Sequence, residues 1–199
     1  NHKVLMVSSI RENEGKSTIT VNLALNLSRR GKRVMLLDAD MRRPAIAKIF
    51  DASVEEKENL SQLLAGKSSL QDVMRKDFGS VRCILQKKDI ADPDKLLEGD
   101  EFKKLIKVVA SHMDYVIIDT APLGIVRDAE IIAAAADAVL LVICQDCVHA
   151  SEINDAVDIL DETGTDIVGG VLNMVVGDKS SIRKDKRYGS YYYGYSDKK

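Results

Sequence analysis

KVLMVSSIRENEGKST, residues Lys3 to Thr18, passes through three textures in succession. Lys3–Ser8 is an apolar, β-favouring run that reads as a buried strand. A polar stretch follows. From Lys16 a helical spacing takes over, with Ile19, Leu23 and Leu27 at i, i+4 and i+8 and Gly31 as a natural stop. A strand, a polar loop and a helix opening on Gly15-Lys16-Ser17 is where a phosphate-binding loop belongs. Helix N-terminal amides point at an anion, the lysine reaches the β- and γ-phosphates, and the serine hydroxyl ligates Mg²⁺. The pattern G-x-x-x-x-G-K-[ST] is met except at its first glycine, where Ile10 stands. Asn13 occupies a place where such loops often use Gly, and Asn tolerates positive φ better than most residues. The candidate nucleotide-binding residues of the loop are therefore Asn13, Glu14, Gly15, Lys16, Ser17 and Thr18. A chance Gly-Lys-Ser at a helix start is the bland alternative, and the strand–loop–helix context argues against it.

Working outward, short β-rich runs alternate with helical stretches. Arg33–Asp38, Tyr115–Asp119, Ala138–Cys144 and Ile167–Asn173 read as strands, with a shorter one over Val81–Leu85. Helices are expected over Asp100–His112, around Asp128–Ala135 and from Ala150 to about Asp161, with a broken helical region from Pro44 to Arg75. This alternation predicts an α/β domain: a mostly parallel, twisted sheet of six to seven strands flanked by helices. The domain is expected over 1–177. Residues 178–199, basic, small and aromatic without apolar periodicity, read as a flexible, tyrosine-rich tail. An initial Asn and an immediate strand pattern lead us to expect a piece of a longer polypeptide.

Acidic residues end two of the strands. Asp38-Ala39-Asp40 closes VMLLD, and Asp119 closes YVIID. Ligands of open parallel sheets gather beyond the carboxyl ends of strands, so these acids are expected to converge on the same phosphates and metal. An isolated strand-end Asp usually caps a turn. Three of them beside a phosphate loop suggest more.

Composition excludes several classes. The chain has 199 residues, 45% hydrophobic and 30% charged, enough for a packed core and too apolar for wholesale disorder. Lys plus Arg is 29 against 31 for Asp plus Glu, which argues against a protein built to neutralise nucleic-acid phosphates. Ile131–Cys144, the longest apolar stretch, contains Asp137 and is too short to span a bilayer. Cys83, Cys144 and Cys147 are an odd number and suggest a reducing compartment, not a disulfide framework. Cys144-Gln145-Asp146-Cys147 has metal or redox spacing, but it follows a buried strand and has no second pair, which favours a plain structural reading.

SSIRENEGKST, VMLLDADMRRP and YVIIDTAP resemble the Walker A, Walker A′ and Walker B motifs of bacterial tyrosine kinases (BY-kinases) of capsule and exopolysaccharide export, P-loop ATPases related to ParA and MinD. Leu36, Leu37, Asp38, Asp40 and Arg42 match the Walker A′ pattern of aliphatics followed by D-x-D-x-R. Asn59–Gly66, Asp92–Leu97, Asp128-Ala129 and the tyrosine-rich end extend the similarity over nearly the whole chain. The resemblance implies an ATP-dependent kinase. Lys16 would stabilise the transferred phosphoryl group, while Ser17, Asp38 and Asp119 would hold Mg²⁺. Asp38 would accept the tyrosine proton, assisted by Asp40. It places Asn173 where ParA/MinD relatives contact adenine, although a strand-end turn Asn is an equal reading. Arg42 and Arg43 could bind nucleotide or a partner, or simply be solvated.

Five of the six tyrosines, Tyr188, Tyr191, Tyr192, Tyr193 and Tyr195, crowd the C-terminal end. Stacking on nucleic acid, lying at a membrane and packing back on the domain are conceivable uses. Beside a kinase-like site, a phosphoacceptor cluster is the better account, each phosphate adding roughly 1.5 to 2 negative charges. Extended, the stretch from Gly177 to Tyr193 spans roughly 50 Å, against a domain diameter of about 40 Å. It can reach its own site or a neighbour's, and a tight reversal at the last strand favours the neighbour. The resemblance further implies a cytoplasmic domain at the inner face of the membrane, held by a membrane adaptor or a fused transmembrane segment. It also implies homo-oligomers in the full-length context and no nucleic-acid partner. A ParA/MinD-type ATPase switch without kinase activity is the rival, and an iron–sulfur carrier using Cys144 and Cys147 a more distant one.

Overall fold

A computed structural model describes residues 2–176. The tyrosine cluster, the tail and the boundary at Gly177 lie outside the described residues. In chain order the elements are β1 (Val4–Ser9), α1 (Lys16–Arg29), β2 (Val34–Asp38), α2 (Ile46–Ile49), α3 (Leu60–Leu64), α4 (Leu70–Val73), β3 (Met74–Phe78), β4 (Val81–Ile84), α5 (Asp94–Leu97), α6 (Asp100–His112), β5 (Tyr115–Asp119), α7 (Asp128–Ala133), β6 (Ala138–Cys144), α8 (Ala150–Thr163) and β7 (Asp166–Asn173). They build one seven-stranded sheet in the order β3-β4-β2-β5-β1-β6-β7, parallel throughout except for the antiparallel edge pair β3–β4. The fold class and strand number agree with the sequence reading.

The central strands are apolar on both faces because both are covered. Met6, Met35, Leu37 and Ile118 face the core shared with α6, α7 and α8. Their alternates Val7, Val34, Leu36 and Ile117 face the core shared with α1. Helix α6 shows the expected stripe, burying Phe102, Leu105, Ile106 and Val109 at i, i+3, i+4 and i+7. Asp137, the charge inside the longest apolar stretch, precedes β6, and its carboxylate accepts the N–H groups of Lys3 and Val4, 2.8 Å each.

The helix expected from Lys16 is α1; it turns Ser17, Thr20, Val21, Ala24 and Ser28 inward, with Ile19, Leu23 and Leu27 partly buried at the flanks of the same core, and the small side chains let it lie close on the sheet. Two expectations need correction. Met74–Phe78, placed partly in a helical region, is the edge strand β3, turned back on β4 through Gly79 at φ 64°. Cys144 and Cys147 are joined as a disulfide, where the cysteine count had argued for free thiols; proximity within one turn outweighs the parity argument. Among the described residues no helix is long and apolar enough to cross a membrane.

Candidate functional site

A cleft of about 520 Å³ opens at the carboxyl ends of β1 and β2, lined by the loop after β1 and by Asp40, Arg42 and Pro122 among others. The loop is built as a phosphate cradle. Asn13 adopts φ 64° and Gly15 φ 85°, so the Asn-for-Gly expectation holds. Gly15 cannot carry a side chain: a Cβ there would sit 2.3 Å from Asn173 Nδ2. It caps α1 without a side-chain hydrogen bond, and the first turn has no acidic residue, leaving helix-end amides for an anion.

Lys16 Nζ lies 2.7 Å from Asp40 Oδ2 and 3.8 Å from Asp119 Oδ2. Burial opposes its charge, but Asp119 and Asp40 outweigh that and hold its pKa above the ordinary value. Asp38 and Asp119 are fully buried and stand opposite each other in the β2–β5 register, one interstrand spacing apart. Burial, then the Asp119 charge, pushes the Asp38 carboxyl well above the usual range. Burial also raises Asp119, against the pull of Lys16. Asp38 Oδ2 accepts the N–H of Ile46 at 3.1 Å, and Asp119 Oδ1 accepts the Thr20 hydroxyl at 3.0 Å.

The remaining oxygens, Asp38 Oδ1 and Asp119 Oδ2, are buried and take no hydrogen bond among the described residues. Buried acceptors of this kind ask for a partner. Two carboxylates with the Ser17 hydroxyl beside Asp119 form the hard oxygen set that suits Mg²⁺. The residues fit that ion.

Sequence-predicted residues thus converge: Lys16, Ser17, Asp38, Asp40 and Asp119 meet at one place, and Asn13, Gly15 and Thr18 line the cleft above. Glu14 does not face it. Its carboxylate turns inward, 2% exposed. Oε2 takes the N–H groups of Ile10 and Arg11, both at 2.7 Å, and Oε1 takes that of Cys144 at 3.1 Å. Asn173 donates to the Glu14 carbonyl at 2.8 Å, holding the loop to the end of β7. Arg42 is not simply solvated: it forms a two-point pair with buried Asp128, at 2.6 and 3.0 Å, and donates to the Ala91 carbonyl at 2.7 Å. Thr20 and the pairing role of Asp128 were missed. Asp128 carried a signal, since it belongs to the Asp128-Ala129 resemblance; Thr20 reads as one more helix residue.

The family profile of the AAA domain matches residues 2–162. The tyrosine-protein kinase CpsD of Streptococcus pneumoniae is 34% identical over 99% of this chain and 85% of its own length. The kinase domain of the Escherichia coli tyrosine kinase ETK superposes with a TM-score of 0.84 at 28% identity, over 98% of this chain and 73% of that one. The septum site-determining protein MinD of Pyrococcus horikoshii, complexed with Mg-ADP, has a TM-score of 0.73 at 22% identity, over 85% of this chain and 69% of that one; that likeness is one of fold alone. With a nucleotide-binding loop, two acid-tipped strands and this similarity over nearly its full length, the chain belongs to the bacterial tyrosine kinase family of P-loop proteins.

Proposed function

We propose that this domain transfers the γ-phosphoryl group of ATP to tyrosine, with Mg²⁺, and that its acceptors are Tyr188, Tyr191, Tyr192, Tyr193 and Tyr195. The observation that carries the reading is the pair of buried carboxylate oxygens without a hydrogen bond among the described residues, Asp38 Oδ1 and Asp119 Oδ2, the latter 3.8 Å from Lys16 Nζ. Phosphoryl transfer asks the protein mostly for positioning and charge. The free amides of α1 and Lys16 receive the phosphates, and Lys16 exchanges its bond to Asp40 for one to the transferred group. Ser17, Asp38 and Asp119 would hold Mg²⁺, which supplies neutralisation of phosphate charge when bound. Asp38 is the candidate acceptor of the tyrosine hydroxyl proton, its burial and the neighbouring Asp119 charge raising its affinity for one. Asp40, released by Lys16, assists. We place the domain at the cytoplasmic face of the membrane, with a membrane adaptor or a fused transmembrane segment as partner, in control of polysaccharide synthesis and export.

Incubation with Mg-ATP followed by mass-spectrometric mapping of phosphotyrosine tests this directly. Modification of the terminal tyrosines is expected, and Lys16→Ala abolishes it because the site loses the ammonium that faces the transferred phosphate. Phosphotyrosine retained in pure Lys16→Ala protein would sink the assignment.

A further inference from the structure

The turn that follows β6, Cys144-Gln145-Asp146-Cys147, has no part in phosphoryl transfer. Cys144 is buried at 5% exposure, whereas Cys147 is exposed. Their sulfurs are bonded and their Cα atoms lie 5.4 Å apart, within the span a disulfide bridges. Among the described residues no group of three His, Cys, Asp or Glu side chains gathers to hold a metal ion.

What distinguishes the turn is what hangs on it. The Cys144 N–H donates to Glu14 Oε1, the side chain that gathers the amides of Ile10 and Arg11. The Gln145 N–H donates to the Asn173 carbonyl at 3.0 Å, and Asn173 in turn donates to the Glu14 carbonyl. Arg11 Nη1 reaches the Cys147 carbonyl at 3.1 Å. The loop that precedes Lys16 is thus held to the cysteine turn from three directions.

We propose that Cys144–Cys147 is a thiol–disulfide exchange site for dithiol reductants, and that its redox state sets the nucleotide affinity of the adjacent loop. A thiolate of the reductant attacks the exposed Cys147 sulfur. A mixed disulfide forms, the Cys144–Cys147 bond breaks, and Cys144 leaves as a thiolate that takes up a proton. The reductant's second thiolate then attacks its own sulfur in the mixed disulfide and releases Cys147, which is protonated. Two electrons pass to the protein and the reductant departs as its disulfide. A disulfide oxidant of the same class reverses the sequence. Reduction opens the small ring, so the turn no longer constrains the Cys144 N–H against Glu14, and the loop loses part of its support.

The affinity effect rests on the nucleotide-site reading above; the exchange chemistry does not. The full chain is equilibrated in mixtures of reduced and oxidised dithiothreitol. Thiols are counted by alkylation and peptide mass spectrometry, with buried Cys83 as an internal control for unfolding, and the Kd of a fluorescent ATP analogue is measured at each poise. Cys144 and Cys147 are expected to titrate together, and reduction to weaken binding by roughly 2- to 30-fold. Cys147→Ser, and Cys147→Ala as a second variant, should bind like the reduced protein in every mixture. Independent alkylation of the two cysteines under oxidising conditions would overturn the exchange site. Equal affinity of the two redox states would overturn the coupling. Binding in neither state would refute the nucleotide-site reading and the coupling with it, while the thiol titration still decides the exchange site.

Discussion

Glu14→Ala removes the carboxylate at the centre of the phosphate loop. That side chain accepts three backbone N–H groups, from Ile10 and Arg11 at 2.7 Å and from Cys144 at 3.1 Å, and is 2% exposed. A buried donor left without a partner costs about 1–3 kcal/mol, so three in a dry pocket would cost about 3–9 kcal/mol. Two effects reduce this. The fold no longer keeps a carboxylate charge out of water, and water can enter the vacated space beside the loop. We expect a net loss of about 3 kcal/mol, a large share of a typical domain stability of about 5–15 kcal/mol. Urea unfolding of the nucleotide-free protein measures it as a lower midpoint at unchanged slope. Glu14→Gln keeps the volume but offers one accepting oxygen and sets an NH₂ against a donor, so it should fall between wild type and Glu14→Ala. If Glu14→Ala costs less than about 0.5 kcal/mol, the scatter of surface substitutions, the carboxylate does not hold the loop.

Asp38→Asn should abolish transfer yet stabilise the nucleotide-free domain near neutral pH. A carboxyl whose pKa is raised by folding contributes its stability below the unfolded value, about 3.9, and loses it as pH rises through the higher folded value. Thermal melts from pH 4 to 8 should show the Asn variant's advantage growing upward from acid; a variant less stable than wild type at pH 7 would contradict the raised pKa. Arg42→Ala leaves buried Asp128 without its cation and should cost about 2–3 kcal/mol, less than a fully buried pair because Arg42 is partly exposed; Arg42→Lys should recover only part in the same urea assay, having lost the two-point geometry. Gly15→Ala meets both a φ of 85° and Asn173 Nδ2 at 2.3 Å, so it should cost at least about 1–2 kcal/mol and abolish binding in a nucleotide titration. Transfer is expected between chains: a Lys16→Met chain mixed with an active chain ending at Gly177 should acquire phosphotyrosine. A blank mixture, with full-length protein modifying itself at a concentration-independent rate, would refute that.

Local sequence alone determined the parallel α/β class, the phosphate loop and the acids at the strand ends, because each rests on a contiguous signal. VMLLD and YVIID are buried strands by composition, and Gly15-Lys16-Ser17 marks a helix start wherever the rest of the chain lies. The Asn13 backbone conformation was legible for the same reason, since a positive φ is a property of one residue. What only the tertiary structure decided are the relations between segments. Asp38 and Asp119 come to face each other through the β2–β5 register, which no spacing along the chain encodes. Arg42 finds Asp128 and Glu14 finds Cys144 across more than half the domain's sequence in the latter case. Helix α1 illustrates the limit most plainly: the Leu and Ile spacing marked a helix, but only close packing against the sheet decides that the small residues Ser17, Ala24 and Ser28 lie innermost. A single sequence records which residues are apolar or charged; steric fit and the need to partner every buried polar group decide which of them meet.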